Sequence, residues 1–124
     1  MKIDRQKVYE KYFGHCAYCG RDIKFKEMQV DHIKPKCQRW NDLPLMIDSF
    51  ENLNPSCRRC NHYKRSLSLE QFRERIKTLH KRLEKIYIVR VAMNFGIVET
   101  KCWDGLFYFE NKMSIKEFVQ ARQK

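Results

Sequence analysis

Four cysteines stand in two pairs, Cys16-Ala17-Tyr18-Cys19 and Cys57-Arg58-Arg59-Cys60. Two thiolates spaced in this way can face one ion, and two such pairs complete a tetrahedral four-sulfur set, the usual arrangement of structural zinc. Gly14 and Gly20 bracket the first pair, as a tight metal-binding turn requires. The same spacing serves redox dithiols, but those open a helix after a strand in a βαβ pattern. Nothing in this chain alternates that way. Zinc would also offset a thin core, because its binding free energy is folding free energy. The remaining cysteines, Cys37 and Cys102, read as small buried hydrophobes.

The elements that must position these sulfurs are short. Residues 4–13 read as a helix capped by Asp4, with Val8, Tyr12 and Tyr9 on its apolar side. Residues 26–33 alternate enough for a strand, with Met28, Val30 and His32 on one face and Pro35 at its end. Residues 37–49 hold Trp40, Asn41, Asp42 and Pro44 and read as a loop, and 50–56 as a turn into the second cysteine pair. A helix begins near Cys60. Leu69, Phe72, Ile76, Leu79 and Leu83 then recur at helical spacing, with Ser68 and Gln71 in a capping-box pattern. Residues 86–92 and 106–110 read as strands, with a strand-like run at 96–100. Ser114 and Glu117 open a last helix. The whole is α+β.

The chain has 124 residues, one domain by size, and we read 1–124 as such, without a linker separating the second half. Lys and Arg total 26 against 15 Asp and Glu, a formal charge of +11. That excess asks for a polyanionic partner, nucleic acid first and an anionic membrane surface second. Charged residues at 33% and hydrophobic ones at 43% exclude a collagen, a membrane bundle and an aromatic-poor disordered tail. The start has no apolar leader, and the most apolar run, 86–98, is broken by Arg90, Asn94 and Gly96. The expectation is a cytoplasmic protein of bacterial or phage origin, without membrane partners, its oligomeric state open and a monomer among the options.

Between and after the cysteine pairs lie Asp31-His32-Ile33-x-Pro35, Asn52-Leu53, and Cys57-x-x-Cys60-Asn61-x-x-Lys64. Their order and spacing closely resemble the HNH endonuclease family. The resemblance covers about residues 8–65. It implies a ββα-metal (His-Me finger) core, a β-hairpin and a helix around one divalent ion, pinned by a four-cysteine zinc site. Residues 66–124 would then be an appended extension of helices and short strands.

The resemblance also implies roles. Hydrolysing a DNA phosphodiester needs a base for the attacking water and a cation for charge building on phosphate and leaving oxygen. His32 would be the base and Asp31 a hard oxygen ligand for Mg²⁺ or Mn²⁺. Asn61 would be the second ligand. One step along a helix turns the side chain about 100°, which takes His62 off the ion. Asn52 would hold the loop that orients His32 and need not touch metal. Lys64 would contact DNA phosphate, with a solvated lysine as the alternative.

Arg58, Arg59, Lys64 and Arg65 form a basic segment beside the motif, and Arg21, Lys24, Lys26, Lys34, Lys36 and Arg39 flank the hairpin. Together they suit a phosphate backbone. Lys77, Lys81, Arg82 and Lys85 suit a solvated helix face equally well. Tyr18 and Trp40 could stack on bases or pack, and packing is the default. His15 and His80 have no partner pattern. Trp103, Phe107, Tyr108 and Phe109 are expected to build a small core against the 69–83 helix. The rival reading is a non-catalytic zinc-ribbon DNA-binding module, which explains the cysteines and charge but needs neither Asp31-His32 nor Asn61. A third is a degenerate nuclease subunit active only with a partner.

Overall fold

A computed structural model describes residues 3–35 and 47–111. Lys36, Cys37, Arg39, Trp40, Asn41, Asp42 and Pro44, and the helix expected from Ser114, lie outside the described residues. The described residues fall into two compact units: those up to 69 together with 107–111, and those of 70–106.

The first unit opens with α1 (Arg5–Glu10), whose first turn is capped by the Asp4 carboxylate accepting from the N–H groups of Gln6 and Lys7. Helix α1 ends earlier than expected, in a run of turns over residues 11–14. Val8 is buried on its inner side, where α1 packs on β2 (Leu53–Ser56). Polar side chains tie α1 to its surroundings. The Tyr9 hydroxyl donates to the Ile23 carbonyl, and the Arg5 guanidinium to that of Met28. The Lys11 ammonium spans the carbonyls of Phe50 and Leu53 at 3.0 and 2.7 Å.

The strand expected over 26–33 is shorter. Phe25–Glu27 form a 3₁₀ turn, and β1 runs Gln29–His32. It pairs antiparallel with β2 in the register Gln29 to Ser56, Val30 to Pro55, Asp31 to Asn54 and His32 to Leu53. The turn expected over 50–56 is thus corrected: Phe50–Asn52 form a 3₁₀ turn, and the rest is strand despite Pro55. A proline is tolerated because this ribbon has only edge strands. Pro55 cannot donate, but its carbonyl accepts from Ala17 N–H at 2.8 Å and so docks the first cysteine pair on β2. Helix α2 (Arg58–Lys64) follows and packs on β1.

Phe107 and Phe109 close this core. Both meet the Tyr18 ring edge-on, at 5.3 and 5.9 Å between centroids, while Tyr108 lies against His15. Tyr108 and Phe109 donate their N–H groups to the carbonyls of Tyr18 and Ala17. Gly20 has φ +81, and a Cβ there would stand 2.8 Å from the Tyr108 ring, so both backbone and space call for glycine. The strand expected over 106–110 is therefore corrected to an extended entry and a helical turn at 108–111. Phe107, Tyr108 and Phe109 belong to the first unit.

In the second unit the single helix expected over 69–83 is two, α3 (Leu69–Lys77) and α4 (Leu79–Glu84). They part at Thr78, whose hydroxyl donates back to the Arg75 carbonyl at 2.7 Å and competes with the regular ladder. The strand expected over 86–92 is α5 (Tyr87–Asn94), and 96–100 forms no strand. Such β-branched residues favour strands only where a neighbouring strand pairs with them, whereas a helix satisfies its own backbone. Cys102 is exposed, which corrects its reading as a buried hydrophobe.

Candidate functional site

The four cysteine sulfurs come together. Cys16, Cys19, Cys57 and Cys60 place all four Sγ atoms within 4.8 Å of one another. A tetrahedral zinc with bonds of about 2.3 Å needs sulfurs about 3.8 Å apart, and Cys19 and Cys57 stand at 3.8 Å. The backbone is shaped to match: Gly20 N–H closes the first turn on the Cys16 carbonyl, and Cys60 N–H points at the Cys57 sulfur at 3.4 Å. Thiol–thiol hydrogen bonding splits the set. Bonds from Cys19 and Cys60 hold Cys16 far below the ordinary thiol range, and the shared bond pushes Cys19 up to about 11. Cys60 is driven up by its bonds to Cys16 and Cys19. Four converging thiols suit a dication, which would neutralise them as thiolates.

The second cluster lies on β1. Asp31 is buried, and the Tyr18 hydroxyl donates to its Oδ2. The Lys64 ammonium reaches its Oδ1 at 3.3 Å and the His32 carbonyl at 3.0 Å. Lys64 has 0% exposure, so the expected contact with DNA phosphate is corrected: a side chain with no surface has none to offer. Its ammonium instead partners a buried carboxylate. Burial raises the Asp31 carboxyl above its ordinary value, and the Lys64 charge and the Tyr18 and Lys64 hydrogen bonds work against that rise.

His32 is half-buried, and its Nε2 lies 2.8 Å from Asp48 Oδ1. Asn52 makes the clamp that brings these two chain segments together. Its Oδ1 accepts from Lys34 N–H at 2.8 Å, and its Nδ2 donates to the carbonyls of Lys34 and Ile47 at 3.2 and 2.8 Å. Asn61 is half-buried on α2, with no hydrogen bond to its amide among the described residues, and His62 beside it is exposed.

These donors can accommodate a catalytic dication. Each Asp31 oxygen accepts one bond and keeps a further lone pair, Asn61 has an uncommitted amide, and α2 packs on β1. Tyr18 and Lys64 would then support the carboxylate, as groups bonded to metal ligands do. The set fits. Arg58, Arg59, Lys34, Arg65, Arg21, Lys24 and Lys26 are exposed.

Sequence reasoning missed three participants. Asp48 reads only as loop in the sequence, because nothing there announces a partner sixteen positions from His32. The Tyr18 hydroxyl is hidden behind its ring. Asn54, opposite Asp31, is fully buried with both amide atoms unpartnered among the described residues, and no signal marks it.

Comparison with known proteins locates the motif. The HNH endonuclease family model matches residues 16–66. A protein of Vibrio cholerae serotype O1 biovar El Tor, named for retron Vc95 and as an HNH endonuclease, is 38% identical over 56 residues, 45% of this chain and 27% of its own length. The CRISPR-associated endonuclease Cas9 of Corynebacterium diphtheriae is 33% identical over 60 residues, 48% of this chain and 5% of its own. The crystal structure of the Type II-C Cas9 enzyme from Actinomyces naeslundii aligns with TM-score 0.48 at 26% identity, over 58% of this chain and 7% of that one. This chain thus spans about a quarter or less of these relatives. No helix among the described residues is long and apolar enough to cross a membrane.

Proposed function

We propose that this chain, an HNH endonuclease domain over residues 16–66, hydrolyses DNA phosphodiesters. One observation carries the reading: Lys64 bridges Asp31 and the His32 carbonyl, so the helix bearing Asn61 is held against the strand bearing Asp31 and His32. The three residues that this reading needs stand on those two tied elements.

In this reading His32 takes the proton of the attacking water. Asp31 and Asn61 would hold Mg²⁺ or Mn²⁺, which when bound neutralises charge developing on the phosphate and leaving oxygen. Asn52 fixes the loop beside His32. Arg58, Arg59 and Lys34, all exposed, take the phosphate backbone, and Lys36 joins them as a proposal from sequence alone. Cys16, Cys19, Cys57 and Cys60 would hold a structural zinc, uniting the hairpin and α2.

The test is supercoiled-plasmid nicking with titrated Mg²⁺ or Mn²⁺. His32→Ala should lose about 10²–10⁴-fold, the span of a general base, with zinc content and DNA affinity kept. Raised Mn²⁺ should partly restore Asp31→Ala and Asn61→Ala but not His32→Ala. Nicking by His32→Ala at the wild-type rate would sink the catalytic assignment and favour a zinc-ribbon DNA-binding module.

A further inference from the structure

We infer that Asp48 is a positioning residue that holds the His32 ring with its proton on Nε2 and so makes Nδ1 the atom that receives the water's proton. The role of Nδ1 rests on the nuclease reading above. The hold of Asp48 on the ring stands on the geometry alone.

Asp48 Oδ1 lies 2.8 Å from His32 Nε2. An ionised carboxylate only accepts hydrogen bonds, so the nitrogen facing it must carry the hydrogen. A neutral imidazole has one N–H. With that hydrogen on Nε2, Nδ1 keeps a lone pair, and no described residue bonds to it. The ring is therefore poised with its basic nitrogen turned away from Asp48. A carboxylate bonded to the far side of the ring also holds the ring in one orientation.

Both members of the pair are held by backbone contacts, so the alignment is built in. His32 ends β1, and its carbonyl accepts from the buried Lys64 ammonium at 3.0 Å. Asp48 follows Ile47, whose carbonyl is held by Asn52 Nδ2 at 2.8 Å. The same Asn52 side chain grips Lys34 through both its backbone N–H and its carbonyl, and the Asn52 carbonyl accepts from Ile33 N–H at 2.9 Å. One asparagine thus fastens the chain just after His32 to the chain just before Asp48. The middle asparagine of the motif thereby sets the distance between a base and the carboxylate behind it.

The experiment uses the full chain with zinc bound and combines imidazole-nitrogen NMR, at a pH where the ring is neutral, with plasmid nicking at saturating and limiting DNA. The wild-type His32 ring should show the Nε2–H tautomer, with that proton protected from exchange. In Asp48→Ala the protection should vanish, and in Asp48→Asn part of the population should move to Nδ1–H, because an amide can also donate. Turnover at saturating DNA should fall about 10²-fold or more in both, within the range a base contributes, while half-saturation and zinc content stay unchanged. A wild-type ring protonated on Nδ1, equal Nε2–H protection in Asp48→Ala, or wild-type turnover in both variants would overturn the assignment. If the wild-type chain nicks under no divalent ion, the nuclease reading fails, and the spectra still decide whether Asp48 orients the ring.

Discussion

The two units of this chain solve the problem of staying folded in different ways. In the first, polar and charged groups are inside. Asp31, Asn54, Ser56 and Lys64 are buried beside Val8, Tyr18, Met28 and Phe107, and four thiols converge in the same unit. In the second, apolar groups are outside. Tyr87, Ile88, Phe95 and Ile97 are each at least 74% exposed, and Phe72 is the buried large hydrophobe among its described residues. The contrast shows where the chain is committed to one geometry. A buried ion pair is a poor source of stability, since desolvating two charges costs about as much as their attraction returns. Keeping one inside, on the strand with the candidate base, is better explained by what it aligns.

Five substitutions would break or sharpen this contrast. The largest effect should come from Cys57→Ala. Structural zinc contributes on the order of 10 kcal/mol, so zinc stoichiometry should drop from about one and amide protection in β1, β2 and α2 should collapse. Amides of α5, which has no part in the thiol cluster, should change least. Retention of one zinc by a folded Cys57→Ala chain would refute the four-sulfur site.

Next comes Lys64→Met, which leaves the Asp31 carboxylate buried without its cation. Denaturant unfolding should show a loss of about 3–5 kcal/mol. Arg59→Ala, exposed on the same helix, should leave stability alone and lower the slope of log affinity for DNA against log salt by about one. Equal stability losses from the two would mean that Lys64 is not the buried partner described.

Tyr18→Phe should cost roughly 1–3 kcal/mol at neutral pH, because an Asp31 oxygen loses its donor. It should also reshape the alkaline limb. Burial, and then the Asp31 charge, hold the Tyr18 hydroxyl well above its ordinary value of 10.0. The unfolded chain therefore loses this proton first. Stability from Tyr18 is complete below pH 10 and declines as pH climbs from there toward the raised value. Tyr18→Phe should flatten part of that decline, leaving the part due to Tyr12, which burial also raises. An unchanged alkaline limb would contradict the placement of Tyr18.

The smallest effect should be Ile88→Ser, on an exposed face of α5, expected within about 0.5 kcal/mol. A loss of several kcal/mol would show that this residue is covered in solution.

The legibility of the sequence follows the same division. The paired cysteines can be read because metal binding imposes fixed types at fixed spacings, and the structure brings the four sulfurs together. Asp4 as a cap and the α2 helix are legible for the same local reasons. The 86–92 run misleads because its β-branched residues state a preference that only a partner strand could realise. The 69–83 helix reads as continuous because apolar spacing does not register the hydroxyl of Thr78. Lys64 reads as a surface residue because a lysine is seldom fully buried, and only the fold reveals a carboxylate beside it. Asp48 depends on a loop closure that no local pattern encodes.

The edge-on aromatic contacts of Tyr18 bear on how the chain comes off the ribosome. Phe107 and Phe109 wall the ring whose hydroxyl holds Asp31, and they are translated after residues 70–106 are complete. The motif over 16–66 is thus finished in synthesis well before it is finished in space. A nascent chain stalled in that interval would have its cysteines and its histidine but lack the wall around the ring whose hydroxyl holds the Asp31 carboxylate. The surroundings of Asp31 would be completed only once residues 107–109 emerge, a built-in delay between making the motif and packing it.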